Sequence, residues 1–226
     1  MIRKTKIIAT IVPATESRSN LKRIIKSGVN VCRLNFSHLE HDKAKEIISH
    51  IKSINQELNI NTAILADLQG PKIRIGKLNS PLDLQKDQTL VFSTLKKNKN
   101  NLFINYKNFA KDISAGDKIL LDDGKIQLKA IKTNKLDKVE TKVVFGGVLT
   151  SNKGVNLPNT KISLPCLTEK DKKDLKFILT QKIEWLALSF VRSAEDVHEL
   201  RRILKRNKST LSIVSKIEKP EAVEDI

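Results

Sequence analysis

Aromatic side chains are scarce in this chain, with one Trp, one Tyr and seven Phe among 226 residues. So few flat platforms argue against a protein that stacks exposed bases, and the formal net charge of +17 reads first as a solvated lysine surface. A field of that sign attracts anions of any kind, so charge alone does not choose between nucleic acid, acidic lipid and small phosphorylated metabolites. Cysteine is limited to Cys32 and Cys166, each in an apolar-flanked segment, which gives no argument for an oxidising compartment. No stretch approaches the roughly 20 apolar residues that span a bilayer. The short apolar segment behind Arg3, Lys4 and Lys6 contains threonines and lacks a signal-peptide cleavage pattern, so it reads as a first strand. A cytoplasmic protein without a membrane partner is expected. Also missing are Gly-x-x-x-x-Gly-Lys-Ser/Thr, Gly-x-Gly-x-x-Gly and His-Glu-x-x-His, so P-loop NTPases, dinucleotide enzymes and zincins have no support.

What is present is unevenly distributed. Residues 1–70 carry 11 basic and 6 acidic side chains, residues 71–164 carry 18 and 8, and residues 165–226 carry 13 and 11. In the middle segment lysines outnumber arginines 17 to 1 without interleaved aromatics, so no nucleic-acid partner is expected. Hydrophobic periodicity divides the chain at the same places. Within 1–70 it predicts strands at Ile7–Val12, Val29–Phe36 and Thr62–Asp67, a helix through Leu21, Ile24 and Ile25, and another over Asp42–Glu57. Within 71–164 short alternating strands, with turns at Ala115–Asp117, Asp122–Gly124, Thr133–Asn134 and Gly146–Gly147, predict an inserted all-β domain.

Strand–helix alternation returns within 165–226. Thr168 is placed as the N-cap of a helix through Leu175, Ile178 and Leu179, followed by strand Trp185–Ser189. Ser193 and Asp196 have capping-box spacing ahead of a helix carrying Val197, Leu200, Ile203 and Leu204; strand Leu211–Lys216 and the start of another helix follow. The fold class is therefore α/β. Five parallel-type strands with a β insertion after the third fit a partial (β/α)8 TIM barrel better than a doubly wound sheet, which the pattern leaves open.

Polar residues gather where these strands end: Arg33, Asn35, Ser37 and His38 after the second, Asp67 after the third, Ser189 and Arg192 after the fourth, Lys216 and Glu218 after the fifth. A parallel barrel builds its active site on that rim. Lys216 and Glu218 are two apart, so on an extended strand they share a face, either meeting one ligand or forming an ordinary exposed pair. Arg33 lies in an otherwise apolar strand and needs an anion, either a substrate or Asp67. His38 and His41 form an His-x-x-His pair without a nearby cysteine or third histidine to complete a zinc site.

Five motifs, in order and spacing, resemble those of the pyruvate kinases: Arg33-Leu-Asn-Phe-Ser-His38, Asp67 through Gly70-Pro71-Lys-Ile-Arg74, Lys153-Gly-Val-Asn-Leu-Pro158, Ser189-Phe-Val-Arg192 and Ser215-Lys-Ile-Glu218. The resemblance implies a barrel domain at 1–70 and 165–226, interrupted at 71–164 by a mobile β domain that closes over the nucleotide. It implies Mg2+-dependent phosphoryl transfer from phosphoenolpyruvate to ADP in glycolysis, giving pyruvate and ATP. Position by position, it places Arg33 and Lys216 in catalysis and on the substrate, Ser189 and Arg192 on the substrate, and Asn35, His38, Arg74 and Lys153 on the nucleotide. Glu218 matches a magnesium ligand, while Asn35, Ser37, Asp67 and the Leu68 backbone match a monovalent-cation pocket.

Some positions depart from the commoner pattern of that family. Lys72 stands where potassium-dependent relatives usually have glutamate, and Leu68, Gln69 and Ile75 replace more polar neighbours, so K+ is expected to be dispensable. Val12 replaces a glycine usual after the first strand. Intact family members are expected to be homotetramers. Because an intact barrel needs three more βα units, the 226-residue chain alone is expected to turn over little substrate and to leave strands one and five as open edges. The alternative is an inactive relative that binds phosphorylated metabolites.

Overall fold

A computed structural model describes residues 4–96, 101–158, 160–218, 220–224 and 226. Its first elements alternate: β1 (Ile8–Thr10), α1 (Arg18–Lys26), β2 (Val31–Asn35), α2 (His41–Leu58) and β3 (Ala63–Asp67). α1 starts at Ser17, whose side chain accepts from the Asn20 amide at 3.3 Å and satisfies one orphan donor of the first turn. α2 buries Ala44, Ile47, Ile48, Ile51 and Ile54 along one face and stops where Asn59 adopts left-handed backbone at φ 50°. β1 is shorter than the expected Ile7–Val12 because Thr15 captures its exit. The Thr15 hydroxyl accepts from the Val12 amide at 3.0 Å, and the Thr15 amide donates to the Val12 carbonyl at 2.7 Å. Val12 is not among the positive-φ residues, so this turn holds a valine without left-handed strain.

Lys72–Pro165 forms a second unit with its own core. Its strands are β4 (Leu82–Leu84), β5 (Thr89–Ser93), β6 (Leu102–Phe103), β7 (Lys118–Leu121), β8 (Ile126–Thr133), β9 (Lys138–Phe145), β10 (Gly147–Leu149) and β11 (Val155–Asn156), with helix α3 (Phe109–Asp112) between β6 and β7. The larger sheet runs β11-β7-β8-β9-β5-β6, and β10 pairs with β4. The unit is β-dominated, as expected, with α3 as the addition. Four residues are too short to announce a helical period, yet Phe109 and Ala110 of α3 are fully buried. At the turn between β9 and β10 a glycine is obligatory: a Cβ on Gly146 would lie 2.0 Å from the Leu84 carbonyl oxygen.

From Cys166 onward the first unit resumes with α4 (Glu169–Ile178), β12 (Trp185–Val191), α5 (Ala194–Arg206), β13 (Ser212–Ile217) and α6 (Pro220–Glu224). Its five strands form one parallel sheet in the order β1-β2-β3-β12-β13. A doubly wound sheet reverses its order at a switch point. No reversal occurs among these strands, so the sheet is that of a partial (β/α)8 barrel. Cys32 and Leu34 of β2 are fully buried in the core, while Val31, Arg33 and Asn35 alternate to the other face. Among the described residues no helix is long and apolar enough to cross a membrane.

Two local expectations are corrected. β12 continues past Ser189 to Val191, through a register shift against β13 and a left-handed Phe190 at φ 57°. Ser193 makes no side-chain cap, and Asp196 does not complete a capping box because its carboxylate is committed elsewhere: it accepts from the Arg192 amide at 3.0 Å and from its guanidinium at 3.0 and 3.2 Å. A two-pronged bond from a guanidinium to a carboxylate is stronger than that carboxylate's single bond to a backbone amide. The capping box forms at Thr168 instead, with Asp171 as its partner.

Candidate functional site

The rim of the first unit is organised around one buried carboxylate. Asp67 ends β3 with its side chain 2% exposed, between Arg33 of β2 and Lys216 of β13. Arg33 Nε donates to Asp67 Oδ2 at 2.7 Å, and its Nη1 reaches the Thr10 hydroxyl of β1 at 2.9 Å, so strands on both sides hold the guanidinium. Lys216 Nζ lies 3.2 and 3.4 Å from the Asp67 oxygens and 2.8 Å from the Ser189 hydroxyl. That hydroxyl has one proton, and its shortest acceptor is the Leu68 carbonyl at 2.6 Å; it therefore accepts from Lys216 and donates to Leu68. Two cations share one buried anion, and the surrounding hydrogen bonds offset the cost of burying Asp67.

Glu218 joins this group through the irregularity in β12. Its Oε2 accepts from the Phe190 amide at 3.0 Å, and its Oε1 is 3.6 Å from Lys216 Nζ. The bulged, left-handed Phe190 directs its N–H at Glu218 while Ser189 faces Lys216. Gly70 backs the bulge: at φ 68°, a Cβ there would sit 2.9 Å from both Ser189 Cβ and the Phe190 ring. Arg33, Asp67, Leu68, Ser189, Lys216 and Glu218 are thus brought together. On the exit loop of β2, Asn35 Oδ1 accepts from the Ser37 amide at 3.0 Å, and His38 is exposed. Arg192 is held against Asp196.

The remaining expected residues belong to the second unit and meet one another there. Arg74 bridges Gly154 in antiparallel fashion and donates to the Asn152 carbonyl at 2.9 Å. Lys153 pairs with Asp122 at 2.7 Å, and the Lys153 hydrogen bond holds the Asp122 carboxyl below its ordinary range. Lys72 is exposed, and its Cε lies 4.0 Å from where a Gly154 Cβ would be.

His41 pairs with Asp174 at 2.8 Å and stacks on Phe177, so the His-x-x-His spacing is divided between a loop and a helix contact. Among the described residues no group of three or more His, Cys, Asp or Glu side chains could hold a metal ion. Sequence reasoning missed Lys170, Asp171 and Asp174. Lys170 donates to the Phe36 carbonyl at 2.5 Å and pairs with Asp174 at 2.6 Å, while Asp171 accepts from the Gly70 amide at 3.1 Å. The Thr168-x-x-Asp171 spacing signalled the cap, but nothing local signalled a partner 101 residues away.

A family model described as pyruvate kinase, barrel domain, matches residues 2–226. The chain is 44% identical over 229 residues to a protein named pyruvate kinase from Buchnera aphidicola subsp. Schizaphis graminum, covering 99% of this chain and 47% of that relative. It is 40% identical to pyruvate kinase 2 of Synechocystis sp., over 99% of this chain and 39% of the relative. Against a pyruvate kinase of Staphylococcus aureus the identity is 37%, over 100% and 39%. The chain spans less than half the length of these relatives.

Proposed function

The chain belongs to the pyruvate kinase family, and from that premise we propose that it supplies the phosphoryl-transfer rim of an enzyme that converts phosphoenolpyruvate and ADP to pyruvate and ATP. The observation that carries this is the joint approach of Lys216 to Asp67, Ser189 and Glu218. Arg33 and Lys216 are partly exposed cations fixed by a buried anion, so they are held in place before any phosphate arrives. In the reaction the bond from phosphorus to the enol oxygen breaks, a bond to an ADP oxygen forms, and the enolate left behind takes up a proton. Arg33 would hold the phosphoryl oxygens, Lys216 would offset charge on the group in flight, and Ser189 and Arg192 would orient the carboxylate end of the substrate. Asn35, His38, Arg74 and Lys153 are proposed nucleotide contacts, with the inserted unit as the nucleotide lid.

Glu218 fits a magnesium ligand, because a hard cation of this kind takes one or two carboxylates and completes its shell with water and substrate oxygens. When bound, the ion would neutralise charge on the phosphoryl oxygens. Asp67 is engaged by Arg33 and Lys216, and the Leu68 carbonyl by Ser189. Fixed ammonium and guanidinium groups thus occupy the surroundings of the proposed monovalent-cation pocket, in keeping with a dispensable K+; Lys72 is the proposed substitute. A cytoplasmic enzyme is the setting these substrates imply. The test is pyruvate release from phosphoenolpyruvate, ADP and MgCl2 by the natural protein carrying this sequence. Lys216→Met should lower kcat about a hundredfold or more without unfolding the chain, and an unchanged kcat would refute the assignment.

A further inference from the structure

We propose that Asp171 is a positioning residue for the rim, acting through Gly70 on the Ser189–Phe190 bulge; its link to turnover rests on the function proposed above. Asp171 is fully buried. Its Oδ2 accepts from the Thr168 amide at 2.9 Å and from the Thr168 hydroxyl at 2.5 Å, while the same hydroxyl accepts from the Asp171 amide at 3.1 Å. Those three bonds complete the cap of α4. The other oxygen, Oδ1, accepts from the Gly70 amide at 3.1 Å, an interaction that capping does not require.

Gly70 is a sensitive place to attach such a tether. Its backbone presses on the bulge so closely that an added Cβ would meet Ser189 Cβ and the Phe190 ring at 2.9 Å and the Ser189 carbonyl at 3.1 Å. The bulge in turn presents the Ser189 hydroxyl to Lys216 at 2.8 Å and the Phe190 amide to Glu218 at 3.0 Å. Leu68, two residues before Gly70, supplies the carbonyl that receives the Ser189 proton at 2.6 Å. A shift of Gly70 therefore moves both the wall behind the bulge and the acceptor in front of it. Only a carboxylate serves both ends: asparagine has one acceptor oxygen, which the two Thr168 donors draw to themselves, so Gly70 would face an amide NH2. The positive N-terminal end of α4 favours the buried charge.

Amide hydrogen exchange separates this role from simple helix capping without any turnover. Asp171→Asn should accelerate exchange of the Gly70 and Phe190 amides at least about tenfold relative to wild type. Thr168→Ala, which weakens the cap and leaves the Gly70 bond, should keep the Phe190 amide within about twofold. In a turnover assay Asp171→Asn should lower kcat about tenfold with Thr168→Ala near wild type. Equal acceleration at Phe190 in both variants, or none in either, would overturn the proposal. If Asp171→Asn does not fold, Gly70→Ala decides: it leaves the carboxylate and cap in place, and an unaltered Phe190 amide there also overturns it. Wild-type protein without phosphoryl transfer would refute the proposed function, with the exchange result still deciding whether Asp171 controls the bulge.

Discussion

At the residue scale, the sequence located the rim residues but not their mutual charges. Arg33 in an apolar strand demanded an anion, and Asp67 was one of two candidates; the structure provides that ion pair in a geometry that leaves the guanidinium partly exposed for a second anion. The approach of Lys216 to Asp67 spans 149 residues and had no local signature. The cysteines provide a residue-scale prediction. Burial pushes the Cys32 thiol up to about 11 and the Cys166 thiol up to about 12, from an ordinary value of 9.0. Because the folded values are raised, the stabilising contribution is complete below pH 9 and is lost as pH rises through the folded values. At pH 8 neither thiol should react with an aromatic disulfide reagent until urea unfolds the chain. Rapid labelling of the folded protein would show that the sites open.

At the element scale, long periodic segments were legible and short or coupled ones were not. The isoleucine stripe of α2 announced that helix within one or two residues, whereas α3 has too few residues to show a period. The two capping signals looked alike in sequence, with Thr168 and Ser193 each followed by aspartate three residues on. They diverged because Arg192 stands beside only one of them and draws Asp196 away. Thr168→Ala should therefore cost about 1 kcal/mol of stability in urea unfolding, while Ser193→Ala should stay within about 0.5 kcal/mol. The reverse order would contradict the assigned caps.

At the scale of the whole molecule, the alternation of strands and helices revealed a parallel sheet, but only the observed strand order excluded a doubly wound one, since order is set by which strands pair rather than by pattern. The pairing of Arg74 with Gly154 was likewise hidden, because residues about 80 apart meet through an isolated bridge. With Lys72 proposed in place of the monovalent cation, replacing K+ by tetramethylammonium in the activity assay should leave the rate within about twofold, and a large loss would exclude a potassium-independent site. The most direct measurement is calorimetric titration of phosphoenolpyruvate, with MgCl2 present, into the wild-type protein and its Arg33→Met and Lys216→Met variants. Binding by the wild type, weakened about tenfold or more in each folded variant, is the expected result; no binding by the wild type, or equal affinity in all three, would contradict a substrate rim built on Asp67.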